Sequence, residues 1–346
     1  MQRRTCLIVI LIAAITISIS MFYRLPQRIG ILISRKEIKT KICILMSTAA
    51  KEETFTYKVY KPLNWKNEAR ATTTKECIPS TGKSSKTGYA VILVTNFINL
   101  NLDKYQKDLE IYGENKINKA MIEARLMEIL NVLQSNLNSY LVQEIYVFVN
   151  EKETAMYLQH LPLQNSDKLV IVVANEDIPL QVQFLFISSC LTGKLVAMTN
   201  QDNNLDNYWE SRGSWPQILR RKRIMYALTR HSSETPNCSW SNLPSSCEDG
   251  RTYLGSHDTF LFHVKIRWTV ESLDQIKGIT SNMPFMENRI ISMFRTKFNY
   301  TVLNPCKVLR VYHNHCVPIR EKGRGSKFLE PQEIGREQFS YHLDNR

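Results

Sequence analysis

The sequence predicts a mixed α/β domain built on a mostly parallel sheet with helices on its faces. Three observations carry this. Short apolar runs rich in β-branched residues recur at 89–95, 144–149, 168–174 and 194–199. Stretches with helical spacing lie between them, at 117–138 and 179–191. Regular strand–helix alternation is the mark of strands joined by crossover helices. The domain is expected to span 88–320.

The first strand, Tyr89 to Thr95, is apolar without alternation, as a strand buried on both faces should be. The helix after it carries Ile122, Leu126, Ile129, Leu130 and Leu133 on one stripe. Residues 144–149 and 168–174 repeat the buried-strand pattern, and Lys194 to Thr199 supplies a fourth strand. The remainder, 207–320, reads as loops with a helix near 284–298. A polar tail, 321–346, follows. Residues 24–87 are basic and irregular and read as a stem. The triplet Gly82-Lys83-Ser84 within it lacks the upstream glycine and preceding strand that a phosphate loop needs.

The chain has 346 residues, 43% of them hydrophobic, and a net charge of +13. Such a charge favours acidic ligands without choosing among them. Arg3 and Arg4 precede an uncharged run, Thr5–Tyr23, of 19 residues. As a helix it would reach ~28 Å, enough for a thin bilayer. It is read as a signal anchor behind a cytoplasmic tail at 1–4, with a cleaved signal peptide as the rival. The basic flank from Arg24 to Lys41 argues for a cytosolic domain. The sequons at Asn237 and Asn299 and the cysteines argue for the lumen. A luminal domain disfavours nucleic acid, and none is expected as a partner. Cys238 with Cys247, and Cys306 with Cys316, are close enough for local disulfides, and Cys190 reads as a buried free thiol.

Ligands of such sheets bind beyond the carboxyl ends of the strands. Thr95 ends the first strand, and Asn175, Glu176 and Asp177 follow the third. Asn200-Gln201-Asp202 ends the fourth with the hard oxygen donors that suit a divalent cation carrying a diphosphate. Asp258 precedes an apolar run and could serve as a base or orient hydroxyls. Glu287, at a helix start, is a second candidate base or a helix cap. Arg230 could neutralise a phosphate. His313 and His315, two apart, would share one face of a strand. An acidic turn, a surface arginine and a structural histidine pair are the ordinary readings of these features. The basic run 220–223 reads as a solvated stretch.

Taken in order, Asn200-Gln201-Asp202, Leu228-Thr229-Arg230, Gly255-Ser256-His257-Asp258, Glu287-Asn288, Asn304-Pro305 and His313-Asn314-His315 resemble a glycosyltransferase-like family of GT-A type. The likeness covers about 88–320, with Asn203 standing where an apolar residue is usual. The resemblance implies a GT-A-like, Rossmann-type sheet that binds a nucleotide-sugar donor. It places Asp202 at a metal–diphosphate position with Mn2+ or Mg2+, and implies a glycan or glycoprotein acceptor. A type II protein of the Golgi or ER membrane is the corresponding expectation. A non-catalytic luminal binding or scaffold protein on the same fold is the alternative. A third possibility is a cytosol-facing membrane protein whose basic flank contacts anionic lipid.

Overall fold

The computed structural model describes residues 58–60, 90–98, 109–111, 117–174, 180–232, 247, 257–280, 286–321 and 343. The apolar run at 5–23, the sequon at Asn237 and Asn175–Asp177 lie outside the described residues. No helix among the described residues is long and apolar enough to cross a membrane.

The strands are β1 (Lys58–Tyr60), β2 (Val91–Asn96), β3 (Leu109–Ile111), β4 (Val142–Val149), β5 (Leu169–Val173), β6 (Leu195–Thr199), β7 (Asn203–Leu205), β8 (Ile224–Thr229), β9 (His231–Ser232), β10 (His257–His263), β11 (Thr301–Leu303), β12 (Val311–His313) and β13 (Ile319–Glu321). The α-helices are α1 (Lys119–Asn138), α2 (Lys152–Gln159), α3 (Leu180–Cys190), α4 (Trp215–Arg221) and α5 (Met286–Thr296). Among the described residues, eight strands form one sheet in the order β1-β5-β4-β2-β6-β10-β8-β11. Every pairing is parallel except the two that β10 makes, with β6 and β8. The mixed, mostly parallel sheet with helices on both faces is therefore present.

The buried strands sort their side chains by the two-residue period. Leu93, Ile145, Val147 and Ala197 face one core with Ile122, Ile129 and Leu133 of α1, Leu158 of α2 and Leu219 of α4. Ile92, Val94, Tyr146, Phe148 and Met198 face the other with Phe184 of α3 and Ile290 and Phe294 of α5. Right-handed crossovers explain the split. The chain steps outward from β2 to β4 to β5, laying α1 and α2 on one face. It then returns across β2 to β6, and the reversed direction puts α3 on the other.

Local chemistry sets the element ends. The Asn118 side chain caps α1 by accepting from Met121 N at 3.0 Å. Pro216 sits in the first turn of α4, where its missing N–H costs nothing. Gly193 turns the chain from α3 into β6 at φ +80°, a region side-chain-bearing residues disfavour.

Two expectations are overturned. The region 207–320 carries more strand than expected: β8, β10 and β11 come from it and supply three of the eight strands of the sheet. Long connections separate these strands in sequence, which hides the strand–helix alternation. The local disulfide pairs are also wrong. Cys247 bonds Cys306, 59 residues away. Cys306 lies toward β9, where His231 Nε2 donates to its carbonyl at 2.9 Å. Cys316 lies beyond β12, its N–H held by Glu128 on α1 at 3.0 Å. An ordered strand thus separates the two neighbours. Cys190 is half-buried and disulfide-bonded, not a free thiol, and Cys316 is disulfide-bonded as well.

Phe294 anchors the second core. Its ring meets Phe262, Tyr300, Phe298 and Trp268 at 4.9, 5.1, 5.5 and 5.6 Å between centroids. Truncating a fully buried aromatic leaves a cavity and costs ~3–5 kcal/mol. Phe294→Ala should therefore lower the urea midpoint of unfolding sharply with an unchanged slope.

Candidate functional site

Five elements deliver polar groups to one edge of the sheet. The parallel strands β2, β6 and β8 end there with Thr95 and Asn96, Thr199 to Asp202, and Thr229 and Arg230. Because β10 runs the opposite way, it begins there with His257 and Asp258. Helix α5 leads into β11 and begins there too, with Glu287. Between β2 and β6 the connections diverge, which opens a crevice at the carboxyl ends. A small cavity at this point is lined by Thr95, Asn96, Phe97, Asn136, Asn200 and Gln201.

Asp202 occupies the turn between β6 and β7 and is only 7% exposed. Strands β7, β12 and β9 form a small second sheet, with β12 in the middle, pairing His313 with Asn203 and Ser232. That register brings His313 Nε2 to 3.1 Å and His315 Nδ1 to 3.5 Å from Asp202 Oδ2. The three candidate ligand atoms lie within 4.8 Å of one another. The Arg125 guanidinium donates to the same Oδ2 through Nη2. Burial works to raise the Asp202 carboxyl, but His313 and Arg125 outweigh it and hold it well below the usual carboxylate range.

The residues fit a divalent cation. His315 Nε2 meets the Ile319 carbonyl at 2.8 Å, and a carbonyl only accepts, so Nε2 carries a proton, and Nδ1, which faces Asp202, holds a lone pair when the ring is neutral. Burial, opposed by Asp202, lowers the His315 pKa, favouring that neutral form. His313 Nε2 lies 3.1 Å from Asp202 Oδ2 and 3.3 Å from Arg230 Nη1. When neutral it can accept from Arg230 or donate to Asp202, but not both. A cation among the three groups would satisfy the converging lone pairs. Two imidazoles and one carboxylate suit Mn2+ better than Mg2+, which prefers oxygen alone.

A pair of carboxylates, Asp258 and Glu287, adjoins this centre. The ladder between β10 and β8 shifts register between His257 and Thr259, so Asp258 sits at an irregularity that re-aims its side chain. Its carbonyl accepts from Asn200 N at 3.2 Å and Thr199 Oγ1 at 3.1 Å. Its carboxylate meets Asn200 Nδ2 at 3.2 Å and Arg230 Nη1 at 3.1 Å. Burial first, then the Asp258 charge, push the Glu287 carboxyl up to about 7. Asn304 holds the end of β8, accepting from Thr229 N at 3.2 Å and donating to Thr229 Oγ1 at 2.7 Å. It thereby fixes the segment that carries Arg230.

Asn200, Asp202, Arg230, Asp258, His313 and His315 thus form one network, and Glu287 joins it through its charge coupling to Asp258. Thr95 is buried and lines the crevice without bonding to that network. Asn299 stands apart on the surface, in the left-handed region at φ 54°. Sequence reasoning missed Arg125 and Glu128. Arg125 Nη1 donates to Glu128 Oε2 at 2.9 Å and to the Asn314 carbonyl at 2.8 Å. The available signal was an arginine on the apolar stripe of α1, three residues from Ile122 and four from Ile129.

No protein-family profile and no curated protein matches the sequence. Among solved structures, HddC from Yersinia pseudotuberculosis aligns with a TM-score of 0.25 and 10% identity, over 41% of this chain and 58% of that one. S. aureus TarS 1-349 aligns with a TM-score of 0.30 and 9% identity, over 67% and 60%. The matched region thus spans about six-tenths of either structure. Likeness at this level assigns no chemistry, and function must be argued from the site.

The raised Glu287 carboxyl has a consequence for folding. The folded protein holds that proton more tightly than the unfolded chain, so stability falls as pH rises from the ordinary glutamate range through about 7. Glu287→Gln should raise Tm at pH 8 and leave it unchanged near pH 4.5. A Tm difference of equal size at both pH values would remove the charge argument.

Proposed function

We propose that this chain is a glycosyltransferase that moves a sugar from a nucleotide-sugar donor to a glycan or glycoprotein acceptor. The observation that carries the reading is a carboxylate–diimidazole centre at the crevice edge, joined through Arg230 to the carboxylate pair Asp258 and Glu287. Among the described residues the network holds four carboxylates, Glu128, Asp202, Asp258 and Glu287, against two guanidiniums. Even with Glu287 protonated, the three remaining carboxylates outnumber the two guanidiniums, which favours a divalent cation.

In this reading Asp202, His313 and His315 hold Mn2+ or a similar ion. The bound ion offsets charge on the departing diphosphate. Arg230 supplies a further positive charge beside it, and Asn200 keeps Asp258 oriented. Glu287, titrating near neutrality, is placed to take the proton of the acceptor hydroxyl. Asp258 keeps that carboxyl basic by its own negative charge. Thr95 lines the donor crevice.

Asp202→Ala is the direct probe of the centre only if the fold tolerates it. Its burial against Arg125 argues otherwise, since removing one partner of a buried ion pair costs ~3–5 kcal/mol. His313→Ala and His315→Ala are the cleaner probes. Thermal melts of the native chain with Mn2+ and nucleoside diphosphates should show a metal-dependent rise in Tm for one nucleotide. Both histidine variants should fold and lose that rise. A folded protein that responds to no nucleotide would instead favour a non-catalytic binding role.

We also place the chain in the secretory pathway, as a type II protein of the Golgi or ER membrane. Supporting this, Cys247 and Cys306 form a buried disulfide, which suits an oxidising compartment. Asn299 and Thr301 of the second sequon are both exposed. Protein made in secretory cells should lose mass on treatment with an N-glycosidase, and Asn299→Gln should remove one increment. Unmodified Asn299 would count against luminal placement.

A further inference from the structure

Building on the metal reading above, we propose that Arg125 competes with the metal for Asp202 Oδ2 and so sets the metal affinity of the centre. Oδ2 is the carboxylate oxygen that both imidazoles approach, at 3.1 and 3.5 Å, and the Arg125 guanidinium sits on that same oxygen. The arginine side chain is 5% exposed, so water screens its charge poorly. A divalent ion bonded to Oδ2 would lie against a fixed positive charge. It would also take the electron density that Arg125 now receives.

Arg125 is tethered independently of Asp202. Its Nη1 donates to Glu128 Oε2 and to the Asn314 carbonyl, while Glu128 Oε1 accepts from Cys316 N and Val317 N at 3.0 and 2.9 Å. Releasing Asp202 therefore leaves the guanidinium with two acceptors and frees Nη2 for an anion. A donor diphosphate has the charge to draw it away. A merely structural tie makes the opposite prediction. If Arg125 only holds the 313–317 segment in place, its loss should loosen the histidines and weaken metal binding.

The test uses the full chain and Mn2+ alone, with bound ion read from loss of the free Mn2+ signal in electron paramagnetic resonance. Arg125→Gln is compared with the natural chain. The double variant Arg125→Gln/Glu128→Gln keeps the local charge balanced should the single variant fail to fold, and circular dichroism checks both. The expected result is at least a tenfold lower Kd for Mn2+ in the variants, abolished when His315→Ala is added. Equal or weaker binding than the natural chain would overturn the competition while leaving the metal site standing. No Mn2+ binding by any folded form would overturn the metal reading and this proposal together.

Discussion

A buried carboxylate must be compensated, and the site is organised around compensating one. Asp202 is closed off from water yet held in its charged form. Arg125 supplies the nearest positive charge, but a buried guanidinium has five donors to place. Glu128 and the Asn314 carbonyl take two of its bonds. Glu128 in turn accepts from two consecutive N–H groups at 316 and 317. One buried charge thus links the middle of α1 to a segment nearly two hundred residues later. The sign follows from the depressed carboxyl. The stability Asp202 lends is complete above the ordinary carboxylate range, and is lost only as pH falls through its lowered value.

The sheet makes this convergence possible. Its reversal at β2 leaves a gap at the carboxyl edge, and the antiparallel β10 feeds a residue into that edge from its own beginning rather than its end. The register shift at Asp258 then matters. In a regular ladder, alternation would fix which face each side chain takes. The irregularity instead lets the Asp258 carbonyl collect donors from Thr199 and Asn200 while its carboxylate turns to Arg230. The same residue therefore ties β10 to the end of β6 and contributes charge to the site.

This arrangement was partly legible in the sequence. Strands β2, β4, β5 and β6 and the helices α1, α3 and α5 were, because a long apolar stripe or an unbroken β-branched run admits few other structures. The site residues Asn200, Asp202, Arg230, Asp258, Glu287, His313 and His315 were legible as a set through the order of short motifs, though not through any one of them. Strand β8 was not legible because its six residues follow directly on the basic run 220–223. The disulfide was misread because sequence proximity of Cys306 and Cys316 says nothing of the strand between them. Arg125 was invisible because a single charge on an apolar helix face is unremarkable until its partner, 77 residues on, is known.

Two carboxylates with similar intrinsic acidity end up with opposite tendencies within this one network. Asp202 faces cations and imidazoles and stays charged. Glu287 faces burial and another carboxylate, and holds its proton to about pH 7. Such divergence divides labour, since a group that stays ionised suits cation binding and one that titrates near neutrality suits proton transfer. Arg230 is the joint between the halves. Its Nη1 lies 3.1 Å from Asp258 Oδ2 and 3.3 Å from His313 Nε2, so any charge arriving at the Asp202 centre is felt through it by Asp258, and through Asp258 by Glu287. A cation at Asp202 would weaken the claim of His313 on Arg230 and leave the guanidinium to Asp258. The cation-binding half and the titrating half of the network therefore meet at a single guanidinium nitrogen.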